Sequence, residues 1–315
     1  MKLYKLKIVP RSSQITPWQS DTVMGSLCWI IRQKQGEEKL KDFIRLNQEG
    51  QYPFVVSGCF PGEYLPKPMA GNVFPFDEDI PKKQVLEIAD QAKKAKGENY
   101  LNLDEFNQVI MGGRTEIASK GNYQLDVGVM HNTISRYTNT TTEGSLFELF
   151  ETFWSVPYLT MYAYISDGQE DYFLDLMEQL AQKGYGKRAS IGKGVFSVEG
   201  FNEFDGFAEP GGANCFVSLS NYVPASSDPV KGQYKTFVKY GKLGQDLGLS
   251  ENPFKKPLLM IKPGAVFWTP SPRKVYGRLV EKVSGQHDEV VQFGLTLAVP
   301  AYIDNPFSNS QEISA

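Results

Sequence analysis

The chain has 315 residues, 41% hydrophobic and 13% aromatic, with a formal net charge of −3. That is enough apolar material for two domains of ordinary size or one elaborated one, and it excludes a protein that is basic overall. It does not exclude a nucleic-acid ligand, because electrostatic binding depends on local patches. Lys2–Val9 alternates apolar and polar residues and predicts a half-buried strand. Ser20 and Asp21 predict the start of a core helix running to about Gln35, with Ser20 as its N-cap. Glu37–Asn47 has helical spacing and Phe54–Val56 reads as the next strand. Prolines and glycines interrupt any pattern from Pro61 to about Lys82. An amphipathic helix over Lys83–Lys96 and a short one over Leu103–Ile110 follow, so about 61–122 reads as an insertion.

Gln124–Tyr137, a polar turn at Thr138–Thr142 and the aromatic-rich Leu146–Trp154 precede a strand at Leu159–Ile165. Phe173, Leu176, Met177 and Leu180 fall at i, i+3, i+4 and i+7 of a helix, and Val195–Val198 reads as a strand. With the insertion set aside the order is strand, helix, strand, then strand, helix, strand. That predicts an α+β, ferredoxin-like unit over residues 1–200. Residues 201–315 carry strand signals at Cys215–Leu219, Lys235–Tyr240, Leu258–Ile261, Val266–Thr269 and Val290–Val299, and read as a second, β-rich domain.

Between the second helix and its following strand lies GYGKRASIGKG, residues 184–194, with Gly184, Gly186, Gly192 and Gly194, the cations Lys187, Arg188 and Lys193, the hydroxyl of Ser190, and no acid. It fails the Walker pattern and the dinucleotide fingerprint, and its helix-to-strand context is the reverse of theirs. Two readings stand: a helix C-cap at Gly184 followed by a solvated turn, or a loop whose N–H groups and cations take phosphate or RNA. Asn252–Val280 contains no acid but carries Lys255, Lys256, Lys262, Arg273, Lys274 and Arg278; Lys231, Lys235, Lys239 and Lys242 form a second acid-free run. Singly these read as solvating charges, and together they predict a one-sided charge distribution.

No metal, cofactor or hydrolase motif is apparent. Cys28, Cys59 and Cys215 are far apart in apolar surroundings, as expected of buried thiols in a reducing compartment. No apolar run approaches a membrane span, so a cytoplasmic protein is expected. Asp77-Glu78-Asp79 reads as a solvated turn and His287 as an exposed turn residue. His131 is followed by Asn132, Ser135 and Arg136. It can be a general base toward a ribose 2′-OH, a stacking or hydrogen-bonding contact, or a structural histidine. Arg136 suits phosphate, and Asn132 suits a base edge or ribose.

Ser20-Asp21-Thr22-Val23-Met24-Gly25-Ser26-Leu27-Cys28-Trp29 resembles the S-D-T-x-x-G-x-x-C-W signature of the Cas5-like RAMP subunit of CRISPR type III-A (Csm) effector complexes, the fourth Csm subunit. His131–Arg136 resembles the RAMP pattern of asparagine and arginine flanking an isoleucine, and Gly184–Gly194 the RAMP glycine-rich loop. Val291–Gly294 with Leu297–Pro300 is similar to the family's closing strand. Ser135 and Asn139 depart from the family's usual acid and glycine, which further weakens a nuclease reading; Asn139 can still take a left-handed turn.

The resemblance implies a ferredoxin-like (RRM-like) RAMP domain with a thumb-like insertion, and a second, degenerate ferredoxin-like domain. It implies a non-catalytic antiviral-defence subunit without cofactors that binds the 5′ repeat-derived handle of crRNA. The implied partners are the large Cas10 subunit, the adjacent backbone RAMP subunit, and target RNA near the thumb at about 61–122. Carried over, Gly184, Gly186, Lys187, Arg188, Ser190, Gly192, Lys193 and Gly194 would hold handle phosphates, with His131, Asn132 and Arg136 as further RNA contacts. Ser20 and Asp21 would be a structural cap. The alternatives are a Cas6-like endoribonuclease using His131, and a protein scaffold without RNA affinity of its own.

Overall fold

The computed structural model describes residues 1–70, 99–113, 121–141 and 143–307. The helix expected at Lys83–Lys96, the Asp77–Asp79 cluster and much of the 61–122 insertion lie outside the described residues.

The N-terminal part runs β1 (Lys2–Pro10), α1 (Ser20–Gln35), α2 (Glu37–Gln48), β2 (Phe54–Pro61), β3 (Leu65–Pro66), β4 (Tyr100–Leu101), α3 (Leu103–Ile110), β5 (Gln124–His131), β6 (Phe147–Trp154), β7 (Leu159–Ile165), α4 (Glu170–Lys183) and β8 (Phe196–Glu203). Four of these strands form an antiparallel sheet in the order β2-β7-β1-β8. Its central strand, β7, is buried at every residue, which suits its apolar run, whereas β1 buries Leu6 and Ile8 and keeps Lys5 and Lys7 toward Glu63 and the Tyr158 ring. The α4 residues placed at helical spacing, Phe173, Leu176, Met177 and Leu180, are all buried. α3 opens on a capping box, Asn102 with Glu105, and buries Phe106 and Ile110. The described parts of the insertion thus pack onto the core, and β5 and β6 form their own two-stranded sheet.

The C-terminal part contains β9 (Cys215–Ser218), β10 (Gly232–Gln233), β11 (Thr236–Lys239), β12 (Leu258–Ile261), β13 (Val266–Trp268), β14 (Val275–Val280) and β15 (Gln292–Ala301). Five of these make an antiparallel sheet in the order β10-β13-β9-β15-β14, and β11 with β12 makes a separate ribbon. One hydrophobic cluster spans both parts of the chain: Met24, Leu27, Phe43 and Val56 share it with Leu219, Phe293, Leu295 and Leu297.

Ser20 is not the N-cap of α1. Gln19 holds that position without a side-chain cap, and Ser20 and Asp21 are both buried in the first turn. Ser20 Oγ accepts from Asn221 N, Asn221 Nδ2 donates to Asp21 Oδ1, and Gln292 Nε2 donates to Asp21 Oδ2 at 2.8 Å. Lys239 Nζ completes the cluster, 2.9 Å from Asp21 Oδ2. The motif residues therefore tie α1 to three segments of the C-terminal part. They are structural, as expected, but through long-range bonds that spacing along one helix cannot reveal.

The acid-free runs are corrected in part for the same reason. Lys239 is half-buried on Asp21, and the Lys255 ammonium donates to Val291 O and Gln292 Oε1, its pKa lowered by burial to about 8. Arg273 pairs with buried Asp228. These three cations hold the fold rather than coat it.

Candidate nucleic-acid interface

The glycine-rich loop begins where the sequence places it. Gly184 ends α4 with φ +81° and donates its N–H to Leu180 O. Tyr185 then turns inward, stacks on Trp18 at 4.0 Å between ring centres, and donates its hydroxyl to Pro17 O. Gly186 has φ +81° and lies against Thr16, where a Cβ would collide with the threonine side chain. Arg188, with φ +63°, is one of three described non-glycine residues in the left-handed region, and a 3-10 turn over Ala189–Ile191 follows.

Much of the loop's backbone is used by the fold. Tyr185 N donates to Gly194 O, Gly194 N to Ser13 O, Lys187 N to Thr16 Oγ1, and Lys193 N and Ile191 N to Arg188 O. Among the described residues, the N–H groups of Gly186, Arg188, Ala189 and Ser190 have no such partner. Together with the exposed Lys187 and Ser190 they form the part of the loop that can receive a phosphate.

The side chain of Lys193 is already engaged. Its ammonium lies 2.6 Å from Glu151 Oε2, and the same oxygen accepts from Ser13 Oγ at 2.6 Å. Glu151, on β6, is 1% exposed. Burial raises its pKa, but the hydrogen bonds from Lys193 and Ser13 outweigh this and hold it below the ordinary carboxylate value. Its other oxygen, Oε1, is 3.9 Å from His131 Nε2, and both atoms lack a hydrogen-bond partner.

The β5–β6 register pairs His131 with Phe147, whose rings stack at 5.6 Å, and the Arg188 guanidinium lies over the Phe147 ring, also at 5.6 Å. The hairpin and the glycine loop thus form one site: Arg188, Phe147, His131, Glu151, Lys193. Asn132 and Arg136 are exposed in the loop beyond β5, and neither is hydrogen-bonded to the glycine loop in the described residues. Asn139 takes the left-handed turn with φ +52°. His287 is not an open turn residue: its ring is half-buried, with Nδ1 3.4 Å from Glu289 Oε1.

Sequence reasoning missed Glu151, Ser13, Thr16 and Phe147. One signal was present. Phe147, Leu149, Glu151 and Phe153 share one face of a strand, and a lone carboxylate on an apolar strand face needs a buried cation. Among the described residues no cluster of His, Cys, Asp and Glu could hold a metal ion, and no helix is long and apolar enough to cross a membrane.

No family model and no curated protein matches the chain. Solved structures do. A chain of the crystal structure of the Csm1-Csm4 cassette in complex with cA4 aligns with a TM-score of 0.64 at 17% identity, covering 96% of this chain and 99% of that one. A chain of the Csm3-Csm4 subcomplex in the type III-A CRISPR-Cas interference complex aligns with a TM-score of 0.58 at 15% identity, covering 96% of this chain and 100% of that one. Csm4 is the component that the two assemblies have in common. The chain has the Csm4 fold. The Csm4 likeness agrees with the family resemblance of Ser20–Trp29 and Gly184–Gly194, and at these identities it is a likeness of fold.

Proposed function

We propose that this chain is a non-catalytic Csm4 subunit of a type III-A CRISPR effector complex, that it holds the 5′ handle of crRNA on the glycine loop, and that it contacts the large Cas10 (Csm1) subunit and a backbone RAMP neighbour. The strand order β2-β7-β1-β8 with helices between β1 and β2 and between β7 and β8 supports a ferredoxin-like RAMP domain over residues 1–200. The β-rich remainder is the second domain. The observation that carries the RNA reading is the loop crest: Lys187 and Ser190 exposed, Arg188 in a left-handed turn beside Phe147, and the N–H groups of Gly186, Arg188, Ala189 and Ser190 unspent. Lys193, Gly184 and Gly194 support that crest from beneath. The insertion at about 61–122 is the element we assign to contacts with target RNA.

A rival reading keeps one observation of its own, the His131–Glu151 approach, which resembles a base and its orienting carboxylate. One experiment separates the two. The purified chain is titrated with salt in the presence of 5′-labelled repeat RNA, and retention and cleavage are read from the same samples. Retention that falls with salt, no cleavage, and a Lys187→Ala/Arg188→Ala variant with weaker binding and a flatter salt slope are expected. Unchanged affinity in that variant removes the loop assignment, and specific cleavage abolished by His131→Ala makes the chain an endoribonuclease.

A further inference from the structure

A two-stranded hairpin standing alone is marginal and needs cover on a face. Beyond its base, β5–β6 is covered on one side. Residues directly opposite in register share a face, so His131 with Phe147, Val129 with Leu149 and Val127 with Glu151 make the side that meets Arg188 and Lys193 of the glycine loop. Met130 with Glu148, Gly128 with Phe150 and Asp126 with Thr152 make the other. On the loop side Val127, Val129 and Leu149 are half-buried and Glu151 is buried, whereas Asp126, Gly128, Met130, Glu148 and Phe150 on the outer side are all exposed.

This outer face has an apolar centre and an acidic rim. Met130, 55% exposed, and Phe150, 65% exposed, are diagonal neighbours across the strand pair and form one patch. Gly128 leaves a gap that the Glu148 side chain fills, since a Cβ there would collide with Glu148 Oε1. Asp126 accepts from Thr152 Oγ1 at 2.6 Å and from Gln124 Nε2 at 3.3 Å. Neither Asp126 nor Glu148 has a cation partner among the described residues. Residues 121–135 and 143–165 contain no lysine or arginine.

We propose that the outer face of β5–β6 docks a different protein chain, one whose contact surface is apolar at its centre and carries lysine or arginine at its rim. This rests on the assembly reading given above and adds a contact surface to it. The charge selects the occupant. Unpaired carboxylates without a cation repel phosphates, in contrast to the acid-free glycine loop on the hairpin's other side, so RNA does not suit this face. A second copy of the chain is disfavoured in the same way, because a symmetric pairing sets Asp126 and Glu148 against their own copies. Phenylalanine and methionine are enriched at the centres of protein interfaces, and rim carboxylates select a basic partner.

The test titrates the full chain with the purified Cas10 (Csm1) and backbone RAMP (Csm3) subunits in turn, and reads retention of 5′-labelled repeat RNA alongside. The variants are Met130→Ser/Phe150→Ser and Asp126→Lys/Glu148→Lys, with Leu249→Ser, exposed at another place, as control. The serine variant is expected to bind one of the two subunits about tenfold more weakly or worse, with RNA retention unchanged. The lysine variant is expected to weaken the same subunit and to lose the fall in affinity with salt that wild type shows. Leu249→Ser is expected to bind like wild type, and matching unfolding midpoints exclude a folding defect. Wild-type affinity for both subunits in both variants overturns the docking face and leaves the assembly reading intact. So does loss of RNA retention with subunit binding unchanged, or a wild-type dimer that the variants dissolve without affecting either subunit. A wild-type chain that binds neither subunit overturns the assembly reading and the docking face together.

Discussion

Glu151 joins the hairpin to the glycine loop, and its charge is the feature most open to test. The carboxylate is buried, with Lys193 and Ser13 on one oxygen and His131 facing the other. Removing the cation leaves the anion stranded, whereas removing the anion leaves Lys193 able to reach water. Lys193→Met should therefore cost about 3 kcal/mol in urea unfolding at pH 7, more than Glu151→Gln. The pH dependence has a definite sign. A carboxyl whose folded pKa lies below the ordinary 4.5 contributes stability above that value and loses it as pH falls through the folded pKa. The stability advantage of wild type over Glu151→Gln should be full at pH 7 and shrink progressively below about pH 4.5. An advantage that stays constant down to pH 3 would mean that the pair is not ionic.

At the scale of the element, the glycine loop separates into a crest and a base. The crest keeps the N–H groups of Gly186, Arg188, Ala189 and Ser190, with that of Lys187 given to Thr16; in the base Gly194 donates to Ser13 O, while Tyr185, Gly192 and Lys193 donate within the loop itself. This division was only half legible in the sequence. The C-cap at Gly184 and the glycine spacing mark a left-handed turn, but nothing local shows that Ser13 and Thr16, more than 160 residues earlier, would take the donors of Gly194 and Lys187. Two glycines of the base should respond differently to the same change. Gly194 has φ +67° and a Cβ there would fall into the Tyr185 carbonyl, so Gly194→Ala must break the Tyr185–Gly194 turn. Gly192 has φ +85° with open space around it, so Gly192→Ala meets only the backbone penalty of about 1 kcal/mol. Thermal unfolding should show a Gly194→Ala midpoint several degrees below that of Gly192→Ala. Equal midpoints would show that the Tyr185–Gly194 turn does not hold the base of the loop.

Across the whole molecule, the strands and helices with strong periodicity, such as β7 and α4, were readable because each buries a face defined by its own sequence. β14 was not, since Gly277 with φ +92° interrupts VYGRLV and its basic residues resemble a solvated loop. The Asp21 cluster was also hidden, because its partners Asn221, Lys239 and Gln292 are supplied by segments 200 or more residues away. The same long-range bonds decide how the chain unfolds. Two domains that merely touch would melt separately, yet here Phe43 of α2 packs on Phe293 of β15 at 6.2 Å within one continuous apolar cluster, and a buried carboxylate is shared across the junction. Opening either part exposes the other's core, so unfolding should be cooperative. Trp18 lies buried in the N-terminal part and Trp268 in the C-terminal part, which allows each to be followed alone. In variants that retain only one of the two tryptophans, with the others replaced by Phe, urea midpoints from Trp18 and Trp268 fluorescence should coincide once each variant is referenced to its own circular dichroism transition. Asp21→Ala should lower both midpoints together, by the few kcal/mol that follow from stranding Lys239 and unpairing Asn221 and Gln292. Separate midpoints in the Asp21-intact chain would show that the shared core does not couple the two parts.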